Sequence, residues 1–210
     1  MTMEDNHSQN LREETRTAIL EAGGRLLDRY GYRKTSMSDL AREAGIGRAT
    51  LYLHFSSKEE VALAVIDRIS AQIHAALRSI AREPGEADDR LRRMLAARVL
   101  LRFDSVGTHQ QRLDDIYAAI RPAYLARRER HFEAEAAALA EVLLEGRAAG
   151  KLAFSDAGET AVTLLTATNS LLPYSLSPRE LGQRDAVEAE TTRLADLIIQ
   201  GLKSPLGDRL

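Results

Sequence analysis

An all-α fold is expected for this chain of 210 residues. Apolar residues recur at helical spacing through most of its length, and Gly or Pro falls between the stretches that carry them. Nowhere does strand-like alternation of useful length occur. The expected organisation is a polar, disordered arm over residues 1–10, then a compact three-helix domain over 11–60. A long connecting helix over 57–82 leads into a larger helical domain over 61–210.

The stretch from Thr35 to Lys58, TSMSDLAREAGIGRATLYLHFSSK, reads as two short helices joined by a tight turn. Ser36 and Asp39 have the spacing of a capping box, in which each side chain meets a free amide at the helix start. Met37, Leu40, Ala41 and Ala44 give the first helix an apolar face. Gly45 then stops it, because a residue without Cβ takes the left-handed conformation at little steric cost. Ile46 returns the chain to the core, and residues 47–53 make a second helix anchored by Leu51 and Phe55. This is a helix-turn-helix, whose second helix fits the DNA major groove.

The side of that helix away from its anchor carries Gly47, Arg48, Ala49, Thr50, Tyr52 and His54. Arg48 suits a bidentate pair with guanine, worth about 1–3 kcal/mol of discrimination. Gly47 and Ala49 are small enough to let the backbone approach base edges and thymine methyl groups. Thr50, Tyr52 and His54 carry donors suited to phosphate oxygens, which set register. Ser57 and Glu60 repeat the capping-box spacing, and Lys58 in the first turn beyond is expected on a phosphate. Between Arg33 and Lys58 five basic residues (33, 34, 42, 48, 58) stand against two acids (39, 43), a local charge of +3. That local face outweighs the overall charge of −2, and it suits a specific binder rather than a general nucleic-acid coat.

Upstream, Ile19, Ala22, Leu26 and Tyr30 form the stripe of a first helix over about 11–30, ended by Gly31. Downstream, Val61, Ala64, Val65, Ile69, Ile73, Leu77 and Ile80 mark the connecting helix, broken by Pro84-Gly85. Further helices are expected over 86–106, 110–120, 122–149, 156–172 and 185–203. Pro122 and Pro173 provide two of these boundaries.

The sequence excludes several functions. It has no cysteine, so no disulfide scaffold, thiol nucleophile or thiolate metal site. Its histidines at 7, 54, 74, 109 and 131 have no metal-ligand spacing, and no P-loop, nucleophile elbow or dinucleotide fingerprint occurs. Neither catalysis nor a bound metal or cofactor is expected. No run approaches the ~20 apolar residues of a membrane span, and the N-terminus lacks an apolar signal core, so a cytoplasmic location is expected.

From about Thr17 to Val61 the chain resembles the DNA-binding domain of the tetracycline-repressor (TetR) family of bacterial transcription regulators. The resemblance rests on AILEAGGRLLDRYGYRKTSM, DLAREAGIGRATLYLHF and SKEEV. Leu51-Tyr52-x-His54-Phe55 followed by Ser57-Lys58-Glu59 is its most specific part. Leu53 departs from the family pattern, where an aromatic residue is common. The resemblance implies a homodimeric regulator, a repressor of a palindromic operator in duplex DNA, released by a small apolar or amphipathic effector. It also implies a phosphate contact for Thr35, keeps Ser36 in the DNA-facing set beside its capping role, and assigns the last two long helices to a four-helix dimer interface.

Phe103, Tyr117, Tyr124, Thr166 and Asn169 are the candidate effector contacts, each of which could instead satisfy neighbouring helices. Arg127, Arg128, Arg130 and His131 are read as salt-bridge partners of nearby glutamates rather than an anion site. Two other readings stay open: a DNA-binding dimer that takes no ligand, and a helical interaction protein that has lost DNA binding.

Overall fold

A computed structural model of the chain describes residues 3–106 and 110–203. Their regular elements are all helical. They run α1 (Met3–Tyr30), α2 (Met37–Glu43), α3 (Arg48–His54), α4 (Lys58–Ala81), α5 (Ala87–Val106), α6 (Gln110–Ala148), α7 (Ala157–Ala167), α8 (Pro178–Leu181) and α9 (Arg184–Lys203). Two 3-10 turns, Thr168–Leu171 and Pro173–Ser175, follow α7.

The chain divides into two compact units. The first takes Met1–Arg68 with Gln111–Leu125, and the second takes Ile69–Gln110 with Ala126–Leu210. The boundaries fall inside α4 and α6, two long helices that each contribute residues to both units.

In the first unit, Ile19, Ala22, Leu26 and Leu27 of α1 are buried, as are Leu40 and Ala41 of α2, Leu51 of α3, and Val61 to Val65 of α4. Gly23 lets α1 approach α4 closely: a Cβ there would lie 3.0 Å from Val61 Cγ1 and 3.2 Å from Val65 Cγ2. In the second unit, one core joins Ile73 and Leu77 of α4, Leu91, Met94 and Leu95 of α5, and Leu139, Val142 and Leu143 of α6. Leu164 and Leu165 of α7 and Ala195 and Ile199 of α9 complete it. Arg90 donates to the carbonyl of Ala81 and to Glu145, so its guanidinium closes the C-terminus of α4.

Three expected boundaries differ. Helix α1 begins at Met3, so residues 3–10 are helical instead of a disordered arm. Once a helix is nucleated by packed residues, each further residue adds one hydrogen bond for one residue fixed, and exposed residues can extend it. Asn10 adds a side-chain bond to Glu14 at 3.0 Å.

Helix α6 runs unbroken through Pro122, although a stop was expected there. An interior proline loses one hydrogen bond and crowds the preceding turn, at a cost of about 3 kcal/mol. Pro122 itself is exposed, and Ile120, two residues before it, is fully buried. Helix α7 ends at Ala167 rather than near residue 172, and the chain tightens into the 3-10 turn that follows.

Candidate nucleic-acid interface

Helix α2 starts as its capping box requires. Ser36 Oγ accepts from the Asp39 amide at 3.2 Å, and Asp39 Oδ2 accepts from the Ser36 amide at 3.1 Å. These bonds from Ser36, with Arg42 nearby, hold the half-buried Asp39 carboxyl below the usual range.

The helix ends in a Schellman motif. Gly45 has φ +68, the Gly45 amide donates to the Arg42 carbonyl at 3.2 Å, and the Ile46 amide donates to the Ala41 carbonyl at 3.0 Å. Only glycine adopts that φ readily, so the turn fixes where α3 begins.

Helix α3 buries Leu51, and Phe55 is buried just beyond its end. Arg48, Ala49, Tyr52 and Leu53 are exposed, with Gly47 at the N-cap and Thr50 and His54 half-buried. Two ridges therefore face outward. Arg48 and Tyr52 lie four residues apart on one, Ala49 and Leu53 on the other. No hydrogen bond or ion pair holds the Arg48 guanidinium among the described residues. Leu53, read from sequence only as a departure from a pattern, is 76% exposed. Its side chain is an apolar tooth beside Ala49.

His54 sits near the N-terminal half of α1. Burial lowers its pKa, and the Arg12 and Arg16 charges lower it further against Glu13. The imidazole is therefore neutral at pH 7, a hydrogen-bonding group rather than a cation. Arg16 stacks over the Phe55 ring at 4.6 Å, joining α1 to the end of α3.

Two residues expected on phosphates have their polar ends turned inward. Thr35 is 4% exposed, and its hydroxyl donates to the Gly31 carbonyl at 2.8 Å. Lys58 Nζ donates to the carbonyls of Tyr32 and Thr35 at 3.0 and 3.1 Å and lies 4.4 Å from the centre of the Tyr32 ring. The expectation missed this because spacing reveals which helix end a lysine occupies but not which carbonyls are free nearby. Ser57 caps α4 through the Glu60 amide at 3.2 Å. The reciprocal bond shifts by one residue: Glu60 Oε2 accepts from the amide of Ser56, at 2.7 Å, instead of that of Ser57.

The expected effector contacts fare differently. Phe103 is buried in an apolar cluster with Val99, Leu171, Leu172, Leu176 and Val187. Thr166 is exposed on α7 rather than turned inward; Thr168, two residues on, is the buried threonine. Asn169 Oδ1 accepts from Arg98 Nη2 at 2.8 Å. Tyr124 is half-buried and belongs to the first unit, whereas Phe103, Thr166 and Asn169 belong to the second. The side chain of Tyr117 lies outside the described residues.

Sequence reasoning missed the polar cluster that Asn169 joins. Arg98 and Glu135 are 2% and 1% exposed and pair at 2.8 Å. Arg98 Nη1 also donates to Thr168 Oγ1 at 2.7 Å and to the Leu165 carbonyl at 3.2 Å, while Arg102 holds the other Glu135 oxygen. Burial alone would raise the Glu135 pKa, but the Arg102 and Arg98 guanidiniums hold it below the usual range. A signal for this cluster was present: Arg98 stands in the apolar stripe of Leu91, Met94 and Leu95, and Glu135 in that of Phe132 and Leu139.

A capped helix, a glycine turn and a second helix with a polar and basic outer face define a helix-turn-helix of the DNA-reading class. Residues 19–65 match the profile of the family described as bacterial regulatory proteins, tetR family. Over these residues the N-terminal domain is similar to that of the TetR family.

The HTH-type transcriptional regulator EthR of Mycobacterium tuberculosis (strain ATCC 25618 / H37Rv) is 34% identical over 98 residues, which are 47% of this chain and 44% of that one. The chain thus spans less than half the length of that relative. Among solved structures, a regulator of the TetR/AcrR family from Thermobifida fusca YX-ER1 aligns with a TM-score of 0.70 at 23% identity, over 89% of this chain and 97% of that one. The transcriptional regulator FadR from Bacillus subtilis, in complex with stearoyl-CoA, aligns with a TM-score of 0.68 at 16% identity, over 89% of this chain and 98% of its own.

Proposed function

We propose that this chain is a DNA-binding transcriptional regulator that reads a two-fold operator as a homodimer and is released by a small-molecule effector. The observation that carries the reading is the outer face of α3. Arg48, Ala49, Tyr52 and Leu53 stand exposed on a helix whose Leu51 is fully buried. Such a helix is anchored firmly and offers both a guanine-reading fork and apolar atoms for thymine methyls.

Regulation, rather than catalysis, fits the EthR relative and the family that the N-terminal domain resembles. Dimerisation is supported by Val162 on α7 and Leu197 on α9, both exposed in the single chain. Two copies would set recognition helices about 34–36 Å apart, the repeat of the major groove. The FadR regulator of similar fold is in complex with stearoyl-CoA, which supports a small-molecule effector for this chain. No helix among the described residues is long and apolar enough to cross a membrane, which fits action on cytoplasmic DNA.

The test is a salt titration of binding to DNA from upstream of the protein's own gene, against a scrambled duplex. Preference for the upstream fragment by ~10³ or more is the expected result. Equal weak binding to both, and to fragments selected from the whole genome, would overturn the reading.

A further inference from the structure

We propose that Lys58 is a positioning residue of the DNA-reading unit, clasping the carbonyls of the α1–α2 turn to the first turn of α4. The proposal rests on the DNA-binding reading above and departs from the phosphate contact expected for this lysine.

The backbone of the turn defines the need. Gly31, with φ +77, ends α1, and the chain runs through residues 32–35 outside any helix before Ser36 caps α2. Carbonyls in such a segment need donors from elsewhere. The Thr35 hydroxyl serves the Gly31 carbonyl at 2.8 Å. The Tyr32 carbonyl receives the Thr35 amide at 3.3 Å and the Lys58 ammonium at 3.0 Å. The Thr35 carbonyl receives the same ammonium at 3.1 Å. One side chain from α4 therefore ties together two carbonyls three residues apart.

The surroundings strengthen the clasp. Leu27, Leu40, Val61 and Ala62 line the same crevice as Tyr32, Thr35 and Lys58. Apolar walls lower the local dielectric, so bonds from a cation to carbonyl dipoles are stronger than on an open surface. The Tyr32 ring meets the ammonium at 4.4 Å and adds a cation–π contact. Lysine suits the place because its compact charge carries three donors that can point in different directions.

A phosphate could take only the third proton of an ammonium already held by two carbonyls. As a clasp Lys58 does something else. Helix α4 continues into the second unit, so a displacement of its first turn is carried by Lys58 to the turn and to the cap of α2. Effector-driven movement of α4 would reach the helix-turn-helix by this route.

Two measurements on Lys58→Met, which keeps the aliphatic stem, test the proposal. The first is hydrogen exchange in the free protein. Exchange of the Gly31 and Thr35 amides is expected to quicken about tenfold, the scale of one lost hydrogen bond. The second half of α4 should be unchanged. The second measurement is the salt titration of operator binding: affinity should fall while the dependence on log[salt] keeps the parent's slope.

Unchanged exchange would overturn the clasp. So would a slope reduced by about 0.9 for each half-site, the mark of a lost phosphate contact. Lys58→Gln is measured alongside, so that a folded variant without the charge is in hand. If the parent itself distinguishes no DNA, the regulatory reading falls while the exchange result still decides the clasp.

Discussion

Arg48 occupies the first position of α3 with its guanidinium exposed. Replacing it with alanine should cost about 1–3 kcal/mol of discrimination at one base pair and leave preferences elsewhere intact. Competition against a panel of single-base operator variants would measure it; an unchanged preference profile would remove Arg48 from the base-reading set. A different kind of residue effect belongs to Arg98 and Glu135. Removing Glu135 leaves the buried Arg98 without its counter-charge, so Glu135→Leu is expected to lose about 3–5 kcal/mol, and Arg98→Met less, because Arg102 still pairs with Glu135. The double variant should lose less than the sum, which urea unfolding of all four proteins would reveal. Additive losses would mean that the two side chains do not act as a pair. Of these residues, the exposed place of Arg48 at the start of α3 was legible in the sequence because it follows from helix position alone. The inward turn of Lys58 and Thr35 was not, because it depends on carbonyls brought near by the fold.

At the scale of elements, the helix-turn-helix was legible almost to the residue. Its signals are local: a capping box at Ser36 and Asp39, a left-handed glycine at 45, and an apolar anchor at Leu51 and Phe55. Longer elements were read less well. Pro122 is a local stop signal through which α6 nonetheless continues, and the end of α7 at Ala167 has no breaker in sequence at all. The cap of α2 supplies a further expectation. Ser36→Ala should destabilise the first unit by about 1 kcal/mol, read as a lower urea midpoint with an unchanged m-value. A variant as stable as the parent would mean that Asp39 and water replace the cap.

Helix α3 also carries a dependence on pH. His54 has its pKa lowered by burial and then by Arg12 and Arg16, so it gains a proton only below the ordinary histidine value of about 6.5. Acidification through that region should tighten operator binding in the parent by adding a charge toward the phosphates, and the increment should vanish in His54→Gln. Identical pH profiles for the two proteins would place His54 away from the DNA.

For the whole molecule, the open faces of α7 and α9 lead to a prediction about assembly. Leu197 is 73% exposed in the single chain, and Leu197→Glu should shift the protein from dimer to monomer in sedimentation while its helix content stays constant. A parent that sediments as a monomer would refute this interface. Stability against acid draws on the buried Glu135. The Glu135 carboxyl is held below its unfolded value by Arg102 and Arg98 despite its burial. It therefore stabilises the fold fully above the ordinary glutamate pKa of ~4.3, and that contribution is lost as pH falls through the lower folded value. Glu135→Gln should remove this part of the acid limb of a stability profile. An acid limb of the same depth in both proteins would assign acid sensitivity to other carboxyls.

The Arg98 cluster also restricts how this sequence can drift. Its members come from α5, α6, the end of α7 and the 3-10 turn, and each is another's hydrogen-bond partner. A lineage that changed Glu135 first would carry two guanidiniums with no counter-charge, and one that changed Arg98 first would strand donors' partners on three elements. Either intermediate is less fit than both ends of the path. Positions 98 and 135 should therefore change together or not at all among descendants of this protein, while neighbouring Ala137, exposed on the same helix, varies freely.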